Sequence, residues 1–232
     1  MPNPLIVALD VDSAAEAREL VRTVGPATDF YKVGLELYSA AGIEFVRELT
    51  GQGKQVFLDL KMYDIGETVK RAVAAVAKTG VRFLTIHAVP SVMRAALEGR
   101  AGSSLQLLAV TVLTSMTEED LAETGYSRTI ADLVNSRAEK ASQIGVDGMV
   151  CSPREVAQVR QVAGEKAILV TPGVRPAGAD PGDQKRIATP AEAIRNGANF
   201  LVVGRPIIRA ADPAAAALAI LTELSQAVPA VH

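Results

Sequence analysis

Eight short apolar runs recur along the chain, and they restrict its fold more than any other feature. They are LIVALDV (5–11), FYKVG (30–34), QVFLDLKM (55–62), FLTIHA (83–88), LLAVTVL (107–113), GMVCS (148–152), AILVTPG (167–173) and FLVVGR (200–205). β-Branched and aromatic side chains enrich them, as in strands buried on both faces. Ala-, Glu- and Arg-rich segments with helical spacing lie between them. SAAEARELVRTV (13–24) opens on Ser13 with Glu16 three residues later, a capping-box pattern. GETVKRAVAAVAKTG (66–80) ends at a glycine suited to a helix C-terminus. Strands alternating with helices predict a parallel sheet with helices outside it. Eight such units in 232 residues predict an α/β fold, a closed (β/α)8 TIM barrel forming one domain over 1–232. An open doubly wound sheet is the alternative, but no Gly-rich dinucleotide fingerprint follows the first run.

Composition narrows the function classes. Lys and Arg number 24 against 26 Asp and Glu, a formal net charge of -2, without the basic excess of a general nucleic-acid binder. One cysteine, Cys151, rules out an intramolecular disulfide, and two histidines argue against a Cys/His zinc cluster. The start MPNPLIVALDVD lacks signal-peptide features, and no apolar run reaches the length of a membrane span. The expectation is a soluble, cytoplasmic protein with no nucleic-acid or membrane partner.

The runs share a habit: apolar interiors, with reactive groups towards their C-terminal ends. These groups are Asp10, Lys32, Asp59 with Lys61, His87, Thr114, Arg175 and the pair Gly204-Arg205. In a barrel they converge on the face where active sites sit. Side chains alternate along a strand, so Phe57, Asp59 and Lys61 share one face while Leu58, Leu60 and Met62 share the other. The first face then points into the barrel mouth. Burying charges is costly unless they are paired, so two carboxylates and an ammonium at Asp59, Lys61 and Asp64 mark either a structural ion pair or a reactive site. The other strand-end groups favour the site. Taken singly, His87 reads as a core histidine, Cys151 as a small buried hydrophobe, Lys32 as a snorkelling side chain and Asp10 as a helix cap. TPGVR (171–175) and VVGRP (202–206) each put Gly and Arg just after a strand, an arrangement that suits a phosphate. Ordinary turns with solvated arginines are the alternative. Two long connections, 114–129 and 174–189, read as loops without strong secondary structure and as candidate lids.

DLKMYDI (59–65) resembles the D-x-K-x-x-D-I/V signature of the orotidine 5'-monophosphate decarboxylase family. VALDV (7–11), YKVG (31–34), TIHA (85–88), VLTSM (112–116), TPGVR (171–175), DQKR (183–186) and VVGRPI (202–207) resemble further family blocks in the same order. The resemblance implies cofactor-free decarboxylation of orotidine 5'-monophosphate to uridine 5'-monophosphate, the last step of de novo UMP synthesis. It implies Lys61 as proton donor to C6 of the pyrimidine, within a charged network of Asp59, Asp64 and Lys32. It implies a homodimer with shared sites, Asp64, Ile65 and Thr68 acting across the interface. Asp10 and Lys32 would contact the ribose region and Thr114 the pyrimidine edge. Gln184, Gly204 and Arg205 would hold the phosphate, with Arg175 nearby. Many bacterial members follow the signature with Pro-Asn-Thr, whereas this chain has Gly66-Glu67-Thr68. That departure bears on the helix entry and the interface.

Two rivals remain at this point. Sugar-phosphate decarboxylases and aldol-type synthases of the same superfamily share the signature but use magnesium. They carry an acidic ligand where this chain has Lys32. A non-catalytic phosphate-binding barrel would explain Arg205 but not the acid–Lys–acid cluster.

Overall fold

A computed structural model describes residues 3–175 and 188–227. Eight parallel strands close into one barrel in chain order: β1 (Leu5–Ala8), β2 (Phe30–Gly34), β3 (Gln55–Met62), β4 (Phe83–His87), β5 (Gln106–Val110), β6 (Gly148–Val150), β7 (Ile168–Thr171) and β8 (Phe200–Val203). β8 pairs with β1 to complete the ring. The barrel is closed, so the doubly wound alternative falls. Most strands end before the apolar runs do. In those runs the last residues leave the ladder and form the rim, whereas β2 and β3 extend to the ends of theirs.

The helices are α1 (Ala14–Val24), α2 (Leu35–Gly51, kinked at Gly42), α3 (Gly66–Ala77), α4 (Pro90–Gly99), α5 (Glu118–Glu123), α6 (Ile130–Ile144), α7 (Val156–Ala163), α8 (Pro190–Arg195), α9 (Arg205–Ile208) and α10 (Pro213–Ala227). Ser13 caps α1, its Oγ accepting from the backbone N–H of Glu16 at 3.3 Å. Inside α1, Ala17, Leu20, Val21 and Val24 are buried, the spacing of one helical face. α3 stops at Ala77, short of Gly80, its last carbonyls bonded by the N–H of Lys78. α6 ends where Gly145 takes the left-handed backbone (φ 90°) that a glycine C-cap supplies at low cost. The connection after β5, expected as a plain loop, contains α5, capped by a reciprocal Thr117–Asp120 box. Among the described residues no helix is long and apolar enough to cross a membrane.

Alternation divides the strands as expected. Leu5, Val7, Tyr31, Val33, Val56 and Leu58 face the helices. Ile6, Ala8, Phe30, Phe57, Phe83, Leu108, Val110, Val150, Val170, Phe200 and Val202 fill the barrel. Phe30, Phe83 and Phe200 meet pairwise with centroids 5.4–5.7 Å apart, and Phe57 joins Phe83 at 6.1 Å. The inward-facing phenylalanines of β2, β3 and β4 (Phe30, Phe57 and Phe83) are each followed two residues later by a polar side chain: Lys32, Asp59 and Thr85. The site is therefore the layer directly above an aromatic floor.

At the opposite end, the Arg82 guanidinium lies 4.8–5.2 Å from the centroids of Phe30, Phe83 and Phe200. It also donates to Gln55 Oε1, and Gln55 Nε2 donates to Asp29. Burial pushes the Arg82 pKa down, with Asp29 opposing. Cation–π contacts that are partly desolvated contribute up to about 2 kcal/mol. Arg82→Met should lower the urea-unfolding free energy by about 1–3 kcal/mol while leaving turnover unchanged, since the site lies at the other end.

Candidate functional site

Three neighbouring strands bring four charges into one row. Just past β1, Asp10 Oδ1 accepts from Lys32 Nζ of β2 at 2.7 Å. Lys32 Nζ lies 4.0 Å from Asp59 Oδ2 of β3, which accepts from Lys61 Nζ at 2.8 Å. The signs alternate along the row. Lys32 is buried, so it does not snorkel to solvent, and Asp10 serves this pair while Ser13 caps the following helix. Gly34 makes room for the pair: a Cβ there would lie 2.7 Å from Lys32 Nζ and 3.3 Å from Asp10 Oδ1. Lys61, at the end of the row, is partly exposed, so its ammonium is open to the barrel mouth.

Stability is a poor explanation for this row. Unit charges 4 Å apart attract by about 4 kcal/mol at an effective dielectric of 20. Removing them from water consumes most of such a gain, and well-packed apolar residues often do as well or better. The backbone adds a further cost. Lys61 has φ 49°, and it is the only non-glycine residue with positive φ among the described residues. Strain of that type costs about 1–3 kcal/mol and concentrates at functional sites.

The strain coincides with a register break. Leu58 pairs with Leu84 and Met62 with Ile86, so Asp59, Leu60 and Lys61 stand opposite Thr85 alone. The buried Thr85 hydroxyl fills the gap. It accepts from the Lys61 backbone N–H and donates to Asp59 Oδ1, both at 2.9 Å. Sequence reasoning missed Thr85, because a threonine in TIHA reads as an ordinary strand former. It also missed Gly34. His87 stands two residues above Thr85 and stacks on Tyr63 at 5.5 Å. Burial, then Arg137 and Lys61, push the His87 pKa down, favouring the neutral ring. Cys151 is fully buried, and burial pushes its thiol up to about 12, as suits a core residue.

Asp64 stands apart from the row. It is exposed, and its Oδ1 accepts from the N–H of Ile65 at 2.6 Å. Tyr63 and Ile65 on either side are 67% and 77% exposed, unusual for large apolar side chains. Gly66 opens α3 without obstruction, a Cβ there meeting only Ala95 at 3.6 Å. Glu67 lies in the first turn, 3.6 Å from Arg71, and Thr68 is exposed beside it. The Gly-Glu departure therefore leaves the helix entry intact, and Glu67 suits the positive helix end. Thr114 lies in the turn after β5. Arg175 is buried after β7; its Nη1 donates to the Val174 carbonyl at 2.9 Å, and its N–H to that of Ala188 at 3.0 Å. Gly204 borders the row, a Cβ there falling 3.5 Å from Asp10 Oδ2, and Arg205 follows it at the start of α9. Gln184 lies outside the described residues.

Residues 3–220 match the sequence model of the orotidine 5'-phosphate decarboxylase / HUMPS family. The chain is 54% identical over 223 residues to the orotidine 5'-phosphate decarboxylase of Afipia carboxidovorans, spanning 96% of this chain and 95% of that one. A Bradyrhizobium protein of the same name is 55% identical over 227 residues, covering 98% and 93%. A crystal structure of orotidine 5'-phosphate decarboxylase from Lactobacillus acidophilus superposes with a TM-score of 0.85 at 40% identity, covering 96% of this chain and 99% of that one.

Proposed function

Since this chain belongs to the orotidine 5'-phosphate decarboxylase / HUMPS family, we propose that Lys61 protonates C6 of the pyrimidine, with Asp59, Lys32 and Asp64 of the partner subunit completing the site. The reaction is decarboxylation of orotidine 5'-monophosphate to uridine 5'-monophosphate and CO2, a carboxy-lyase step of pyrimidine biosynthesis. The observation that carries the proposal is the alternating row that ends in a Lys61 ammonium open to the barrel mouth.

The chemistry follows from that ammonium. The bond from C6 to the carboxylate carbon breaks, CO2 leaves, and the electron pair stays on C6. A positive charge already held beside that carbon stabilises the developing pair without reorganisation. Lys61 then transfers a proton to C6 and regains one from solvent. Asp59 fixes the amine end of Lys61 and is itself fixed by Thr85, so the donor is held before substrate arrives. Asp10 and Lys32 face the ribose, and Thr114 reads the pyrimidine edge. Gly204 and Arg205, with Arg175 and Gln184, grip the phosphate. Binding energy from that unreactive end then serves positioning at C6.

Asp64 completes the site of a second copy. Its exposure and its exposed apolar neighbours Tyr63 and Ile65 support a homodimer in which this loop, with Thr68, packs over the other mouth. The dimer acts in the cytoplasm.

The magnesium-dependent rival is disfavoured by Lys32. Its ammonium lies between Asp10 and Asp59, where it would repel a cation. Purified protein treated exhaustively with chelator should retain its full rate of orotidine monophosphate absorbance loss. A rate that falls on chelation and returns with magnesium would favour the rival.

A further inference from the structure

We infer that Thr85 is a positioning residue for the decarboxylation: its hydroxyl holds the β3 bulge that aims Lys61, and at the same time orients the carboxylate that pairs with Lys61. The inference rests on Lys61 and Asp59 forming the reacting pair. The D-x-K-x-x-D-I/V signature does not reach this residue, which opens the TIHA block 24 positions from Lys61 on the neighbouring strand.

The geometry carries the argument. Three residues of β3 stand opposite one residue of β4, so the ladder supplies no regular carbonyl at Lys61. The Lys61 backbone is in the left-handed region, which only a fixed partner maintains in a lysine. The Thr85 side chain is that partner. A hydroxyl has one proton to donate and lone pairs to accept with, and Thr85 uses both functions. It accepts from Lys61 N and donates to Asp59 Oδ1, each at 2.9 Å. Asp59 Oδ2 is left for the Lys61 ammonium at 2.8 Å. Backbone and side chain of Lys61 are thus referred to one buried oxygen, directly and through Asp59. Thr85 is 0% exposed, so no solvent competes for it. The Phe83 ring two residues below and the outward-facing Leu84 and Ile86 fix its height in the barrel.

Serine keeps the hydroxyl, valine keeps the shape without it, and alanine removes both hydroxyl and methyl. In Thr85→Val, kcat should fall about 10- to 100-fold, the scale of a small misplacement of a reacting group. Affinity for uridine monophosphate should stay within about threefold, because the phosphate grip is elsewhere. Thr85→Ser should restore kcat to within about threefold of wild type. Thr85→Ala should resemble Thr85→Val, and provides the comparison with Thr85→Ser if the valine variant does not fold. Folded Thr85→Val or Thr85→Ala protein with wild-type kcat would overturn the inference. So would failure of both to fold beside a normal serine variant, which would make Thr85 structural only. Lys61→Ala measured in parallel separates the cases: wild-type turnover there would remove the reacting pair itself, whereas loss there with unchanged Thr85→Val removes only the positioning role.

Discussion

Lys61→Ala should lower turnover of orotidine monophosphate at least about 1,000-fold while changing affinity for uridine monophosphate by no more than about threefold, or ~0.7 kcal/mol. The split follows from where Lys61 sits. Its ammonium is the open end of the charged row, which the proposed mechanism sets against the carbon that loses CO2, whereas Gly204 borders Asp10 past β8 and Arg205 opens α9. Removing a group that acts only in the transition state lowers kcat and kcat/KM together and leaves ground-state binding in place. The variant should also fold. Alanine carries a Cβ as lysine does, so the positive φ at this position is no worse strained, and Asp59 keeps its bond from Thr85 and its neighbour Lys32. Absorbance kinetics and nucleotide titration measure the two quantities. Turnover within tenfold of wild type would exclude Lys61 as proton donor. Lost nucleotide affinity with a proportionate loss in kcat/KM would make it a binding residue instead.

Mixing Lys61→Ala chains with Asp64→Ala chains should restore activity that neither has alone. If each site takes Lys61 from one subunit and Asp64 from the other, a hybrid dimer has one doubly defective site and one intact site. Random re-assortment of equal amounts makes half the dimers hybrid, so recovery should approach about a quarter of wild-type activity. The physical basis is the placement of Asp64, which lies within a few residues of Lys61 yet is exposed and bonded to the N–H of Ile65, in sequence between two exposed apolar side chains. A carboxylate in that setting has little to do in its own subunit. Subunit exchange can be verified with differently tagged chains. Demonstrated exchange without recovery would confine the site to one subunit.

The barrel and most of its rim were legible because both depend on patterns of period two. Apolar runs with β-branched residues are strands, alternation assigns their faces, and the groups towards the C-terminal end of each run converge when the sheet closes. Asp10, Lys32, Asp59 and Lys61 were found in this way, and they form the row. Family resemblance supplied their chemistry, which alternation alone does not carry. The bulge at Asp59–Lys61 was not legible. Nothing in DLKM encodes a left-handed lysine, because the strain is stabilised by Thr85 from a different strand. Thr85 and Gly34 act through contacts between strands rather than through spacing along the chain. The short helix α5 was missed for a different reason. Its T-x-x-D cap was readable, but a six-residue helix burying only Leu121 has no apolar periodicity to detect.

The aromatic floor under the row, closed below by Arg82, also governs traffic. Phe30, Phe83 and Phe200 pack in mutual contact, Phe57 joins them through Phe83, and the guanidinium covers the first three from beneath. A barrel filled this way is a vessel with one opening. Substrate, gas and nucleotide product must all pass the rim that the loops after β3 and β5 border. CO2 freed at C6 therefore has no separate exit at the bottom of the barrel and must leave past the carbon it came from. In the proposed mechanism, committed turnover then depends on quenching that carbon with a proton before CO2 returns to it, a step for which the Lys61 ammonium is already held in place by Asp59.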